Sequence, residues 1–118
     1  MAPEERDAAL LFDLIMAAKE IDDFVSGIDF ERFNSDKLVR YAVERQLIVI
    51  GEAARHLSGS FLLLAPDIPW KAIVGLRNIL AHEYGEILAE RVWLVATRDV
   101  PSLIEALEPH LPEGHRFP

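Results

Sequence analysis

Residues 66–87 read PDIPWKAIVGLRNILAHEYGEI, and the reading of that stretch decides the fold. Trp70, Ile73, Val74 and Leu80 recur at the three- and four-residue spacing of one helix face, so the spacing predicts a helix that carries them inward. Pro69 suits its first turn, where a missing N–H has no partner to lose. Gly85 ends or bends it. A helix that only filled a core would have no use for Arg77, Asn78, His82 and Tyr84 so close together. A permanent cation, a group that titrates near neutrality and a phenol converge there.

The flanking segments repeat the helical period. Leu10, Leu11, Leu14, Ile15, Ala18, Ile21 and Val25 form one stripe, which predicts a helix over about residues 4–26, stopped by Gly27 in the left-handed conformation. IDFERF is a single turn, and NSD at 34–36 offers N-cap residues for the next helix. That helix runs from Lys37 to His56 with Val39, Val43, Leu47, Ile50, Ala54 and Leu57 inward, and SGS breaks it. FLLLAPDIP is then expected as a short apolar turn and a proline-bounded link. After Gly85 a further helix carries Val92, Trp93, Val95 and Ala96, and RDVPSLIEAL continues the pattern with Pro101 inside it. Asp99 can cap a fresh start there, so a kink or short break is expected. No segment has the two-residue period of a strand, and no repeat or low-complexity tract occurs. The expected fold is all-α, an antiparallel bundle of four or five helices.

At 118 residues the chain is read as one domain over 1–118, with a core of about 4–108 and a loose tail over 109–118. A domain of this size buries roughly two thirds of the surface its unfolded chain exposes and needs no staples. Cysteine is absent, which excludes a disulfide framework or a thiolate metal site and fits a reducing cytoplasm. MAPEERDAALLFDLIMAAKE has acids where a secretory signal has a basic region, and no apolar run approaches the ~18–20 residues of a membrane span. A cytoplasmic protein without membrane contact is expected. The net charge of −8 argues at first against a nucleic-acid partner. Its distribution says otherwise: residues 1–36 hold ten acids and three bases, whereas residues 37–98 hold eight bases and six acids.

Each unusual side chain has an ordinary role open to it. A lone His is commonly a hydrogen-bonded core or surface residue, a lone Tyr half-buries its ring, and Arg lays its stem on a bundle with its head in water. Geometry limits what the group does together. At ~100° per residue Arg77 and Tyr84 point within ~20° of each other, while His82 is turned ~140° from Arg77 and lies ~7.5 Å along the axis. One straight helix does not easily join guanidinium and imidazole. Either the helix distorts near Ala81, or a second copy of the chain contributes across a two-fold axis, and the second remedy is favoured. Such a cleft has a chemical use: the imidazole takes a proton from a ribose 2′-hydroxyl or gives one to a leaving oxygen, and the guanidinium holds the phosphate. No metal or other cofactor is needed. Asn78 orients or donates, or makes a plain capping or interface hydrogen bond. Arg40, Arg45, Arg55 and Lys71 either line the approach and hold RNA phosphates or form a solvated face with Glu44 and Glu52.

RNILAHEY resembles the Arg, polar residue, three others, His, one other, Tyr motif of HEPN-domain ribonuclease toxins, in particular the HepT-like group. AVERQLIVIGEAARHLS is similar to that group's second conserved helix and PDIPWKAIVGLRN to its run into the motif. With RD near the start and VW and DVPSL later, the likeness spans about residues 6–108. The resemblance implies an all-α homodimer that cuts RNA without metal, with Arg77 and His82 of both protomers meeting at the dimer cleft. It further implies an MntA-like nucleotidyltransferase antitoxin that transfers AMP from ATP onto the motif tyrosine, here Tyr84. Adenylate beside the catalytic pair would repel RNA and fill the cleft. The departures are FLLLA, where relatives tend to be more polar, and the acidic first helix. Two other classes stay open: a helical binding module without turnover, engaging a nucleotidyltransferase or a nucleotide, and a metal site from the i, i+4 pairs Glu52 with His56 and His82 with Glu86, which lack the Glu-x-x-His spacing of di-iron bundles.

Overall fold

A computed structural model describes residues 3–82 and 89–112. Among them every regular element is helical. Helix α1 spans Pro3–Val25 and ends where Gly27 takes φ 77°, as the sequence predicts. Asp29 caps α2 (Phe30–Ser35) by accepting from the Arg32 N–H, and Asp36 caps α3 (Lys37–His56) by accepting from Leu38 and Val39. The hydrogen bonds to Val39 and Leu38 and the nearby Arg32 guanidinium hold the Asp36 carboxyl below its ordinary value, against an opposing effect of burial.

The segment expected as an apolar turn is a helix. Ser58 accepts from the Phe61 N–H and starts α4 (Gly59–Leu64), while Asp7 of α1 accepts from both the Ser58 N–H at 2.9 Å and its hydroxyl at 2.6 Å. Phe61 is buried against Trp70, whose indole N–H donates to the Ala65 carbonyl, whereas Leu63 and Leu64 stay exposed. Helix α5 then runs Trp70–His82, with the Pro69 carbonyl accepting from Ile73.

The kink or short break expected around Asp99 is a π-helical turn and not an end of the helix. Helix α6 (Ala89–Leu94) continues through a π-helical turn, Val95–Asp99, into α7 (Val100–Leu107), and Asp99 is itself helical with no side-chain cap. Pro101 has no N–H to offer the preceding turn and its ring would crowd that turn's carbonyl; the wider π turn relieves the crowding without ending the helix. Thr97 and Ser102 hydroxyls donate to the Trp93 and Arg98 carbonyls nearby. A 3₁₀ turn, Glu108–His110, follows, and Leu111 is buried, so the core reaches beyond residue 108; residues 113–118 lie outside the described part, as does Gly85.

Helices α1 and α3 run antiparallel: Asp7 meets Ser58, and Glu20 accepts from Gln46. They bury Leu11, Leu14, Ile15 and Ile21 against Val43, Leu47 and Ile50, the stripes the periodicity marks. Helix α7 packs on α1, and α5 packs on α3. Helix α5 is thus supported chiefly on one side. Leu76 is its one buried residue, and Trp70, Ile73, Val74 and Leu80, expected inward, are half-buried.

Candidate functional site

The polar residues of 77–82 sit where α5 crosses α3, and the crossing is set by a glycine. Helix α3 has Gly51 at the contact: a Cβ there would lie 2.1 Å from Arg77 Cβ and 3.1 Å from the Ile73 carbonyl oxygen. Only hydrogen fits, so the two backbones approach closely and the Arg77 stem lies across α3.

From that seat the guanidinium reaches in two directions. Toward the end of α5, Nη1 donates to Asn78 Oδ1 at 3.1 Å and stands 3.5 Å from His82 Nε2. A guanidinium only donates, so any hydrogen bond between the two has the imidazole nitrogen as its acceptor. Toward α3, Nη2 lies 2.9 Å from Glu52 Oε2. The other Glu52 oxygen is 3.1 Å from His56 Nε2 and 3.6 Å from Arg55 Nη2. The His56 hydrogen bond, and then the charges of Arg55 and Arg77, hold the Glu52 carboxyl below the ordinary 4.5, with partial burial pushing the other way.

The structure therefore corrects the expectation that one straight helix does not easily join Arg77 and His82. Helix α5 stays helical through His82, and no second copy is needed for the contact. The helical-wheel argument treats a side chain as a direction, whereas an Arg stem with its several rotatable bonds travels along the axis to meet a residue more than a turn away. Arg77 is mostly buried along its stem, at 17% side-chain exposure, while Asn78 and His82 are exposed.

The other expected residues divide. Arg55 belongs to the cluster through Glu52. Arg40 donates to the Asn34 carbonyl near the opposite end of α3 and lies beside Tyr41, about 18 Å of helix rise from Glu52. Arg45 and Lys71 are exposed on α3 and α5. Tyr84 and Glu86 fall outside the described residues, and so does the expected His82–Glu86 pair. Glu52 and His56 do touch, but among the described residues no group of three or more metal-ligating side chains forms.

Glu52 is the residue whose place sequence reasoning missed, having assigned it to a solvated face. The signal was Gly51, a glycine inside an otherwise regular helical stripe, which marks a close backbone approach. A larger concavity of about 700 Å³ opens between α3, α5 and the α6–α7 rod. Its walls are Leu47, Ile50, Ile73, Leu76 and Leu103, with Arg91 and Arg98 among its polar groups, and Arg77 and His82 are not part of its lining. Its lining carries Asp67 and Asp99 but no histidine, so the smaller cluster at the α3–α5 crossing is the chemical candidate.

The chain is similar to known proteins along most of its length. A family model described as "Ribonuclease HepT-like" matches residues 14–109. The chain is 40% identical over 100 residues to "Putative RNase MJ1380" of Methanocaldococcus jannaschii, covering 85% of this chain and 92% of that one. It is 37% identical over 106 residues to "Putative RNase MJ0127" of the same organism, at 90% and 88% coverage. It is 37% identical over 93 residues to "Probable ribonuclease HepT" of Thermococcus cleftensis, at 79% and 84% coverage. No solved structure matches.

Proposed function

Because the chain belongs to the HepT-like ribonuclease family, we propose that it is an endoribonuclease whose reacting groups are Arg77 and His82. The observation that carries this reading is the 3.5 Å approach of Arg77 Nη1 to His82 Nε2 at the exposed end of α5. In the proposed reaction His82 accepts the proton of a ribose 2′-hydroxyl. The 2′-oxygen attacks the adjacent phosphorus, the bond to the 5′-oxygen breaks, and that oxygen leaves with the proton that His82 took up, producing a 2′,3′-cyclic phosphate and a 5′-hydroxyl. Arg77 holds the phosphate oxygens and offsets the charge that develops on them. Asn78 keeps Nη1 directed at the reacting site. No step requires a metal.

The homodimer belongs to the same proposal. Its support is the one-sided packing of α5, whose half-buried Ile73, Val74 and Leu80 lie on the helix that carries the pair. A two-fold contact there would bring two Arg77–His82 pairs to one cleft, each with Arg55 nearby. In a cytoplasmic toxin–antitoxin pair, an MntA-like nucleotidyltransferase would silence the site by adenylating Tyr84, two residues beyond His82.

The mechanism is tested with an RNA oligonucleotide and the same oligonucleotide carrying 2′-deoxyribose at the cleaved position. Cleavage of the first with cyclic-phosphate ends, and none of the second, is expected; cleavage of both would remove His82 as the base for a 2′-hydroxyl. Co-expression with the nucleotidyltransferase should add the mass of AMP at Tyr84, and a silenced but unmodified protein would mean masking by contact. One observation favours a second reading, a binding module without turnover: Arg77 is already paired with Glu52.

A further inference from the structure

That pairing is itself informative, because two consecutive residues of α3 are both directed at Arg77. Gly51 admits the stem, with no room for even a methyl group, and Glu52 Oε2 forms an ion pair with Nη2 at 2.9 Å, outside hydrogen-bond geometry. The guanidinium is planar and presents two Nη groups. Glu52 takes Nη2 from the α3 side, which leaves Nη1 in the direction of Asn78 and His82. A carboxylate placed to block the site would cover Nη1; this one holds the opposite edge.

Charge argues the same way. Around the single Glu52 carboxylate stand two permanent cations, Arg55 and Arg77, and the imidazole of His56. One negative charge does not discharge two guanidinium groups, so the cluster remains attractive to a phosphate while Arg77 is fixed in place. Glu52 is in turn located by His56, one helical turn along α3. The order of contacts runs His56 to Glu52 to Arg77 to His82 across two helices.

We propose that Glu52 is the positioning residue of the site, fixing the plane of the Arg77 guanidinium so that Nη1 meets the substrate phosphate beside His82. The inference rests on the assignment of Arg77 and His82 as the reacting pair, but the position of the guanidinium can be measured without turnover. A held guanidinium rotates slowly about its Nε–Cζ bond and gives resolved Nη signals in nitrogen-15 NMR spectra; a free one gives averaged signals. The full-length protein is compared with Glu52→Gln, which keeps the shape and removes the charge, and Glu52→Asp, which keeps the charge on a shorter stem.

The expected result is a resolved Arg77 Nη pair in the unchanged protein that averages in Glu52→Gln and is partly recovered in Glu52→Asp. On an RNA substrate kcat should fall at least tenfold in Glu52→Gln with KM changed less than threefold, and Glu52→Asp should recover part of kcat. Resolved Arg77 signals that persist in Glu52→Gln would overturn the proposal. Faster cleavage or tighter RNA binding by Glu52→Gln would overturn it too, by making Glu52 a brake. If the unchanged protein cleaves no RNA, the ribonuclease reading fails while the NMR comparison still decides whether Glu52 holds Arg77.

Discussion

At the scale of single residues, the contact between α3 and α5 turns on a missing methyl group. Gly51→Ala places a Cβ 2.1 Å from Arg77 Cβ, so the helices must separate or the arginine must leave its seat. Overpacking of this kind costs about 1–3 kcal/mol, measurable by urea denaturation, and cleavage should fall by more than the stability loss explains. The carboxylates set a pH dependence whose sign is fixed. Glu52 and Asp36 have folded-state pKa values below their ordinary 4.5 and 3.8. Their contributions are therefore fully present above those ordinary values and are lost as pH falls through the lower, folded ones. Urea midpoints followed into acid should drop, and less steeply in Glu52→Gln; an unchanged slope would mean that the carboxylate contributes nothing. Arg77, Asn78 and His82 were legible in the sequence because a core helix has no use for them. Glu52 was not, because its partner lies 25 positions away and its own i, i+4 neighbour, His56, offered a local explanation.

Elements were legible where their signals are local. The bounds of α1 and α3 follow from apolar stripes with a left-handed glycine at one end and Asp36 at another. The two misread segments depend on information that a short window lacks. FLLLA becomes a helix because Ser58 caps it and Asp7, 51 residues earlier, holds Ser58 in place. Ser58→Ala removes the cap and the bond to Asp7 together, for an expected loss of about 1–2 kcal/mol in unfolding free energy. A loss within a few tenths would show that α4 stands on the burial of Phe61 alone. Pro101 ends most helices, yet here the π turn at Val95–Asp99 takes up the extra residue, because buried Val92, Ala96, Val100 and Leu107 reward a continuous rod.

For the whole molecule, the all-α class follows from the absence of any strand period, and the helices assemble with α3 between α1 and α5. None of the described helices is long and apolar enough to cross a membrane. The acidic composition proved a poor guide to the site, since two arginines gather at the α3–α5 crossing while the excess of acids lies in the first third of the chain. The incomplete burial of α5 leads to the prediction of a dimer: light scattering at micromolar concentration should return twice the chain's mass, and Val74→Glu, with a charge added to that helix, should halve it. A monomeric wild-type protein would remove the shared cleft and leave a site built from one chain.

The central claim, that Arg77 and His82 together cut RNA without metal, is tested most directly by incubating purified protein with RNA in excess EDTA. The unchanged chain should cleave, and Arg77→Ala and His82→Ala should each be slower by roughly 10²–10⁴-fold, the range in which a positioned proton-transfer group contributes. Equal cleavage by all three proteins would contradict it.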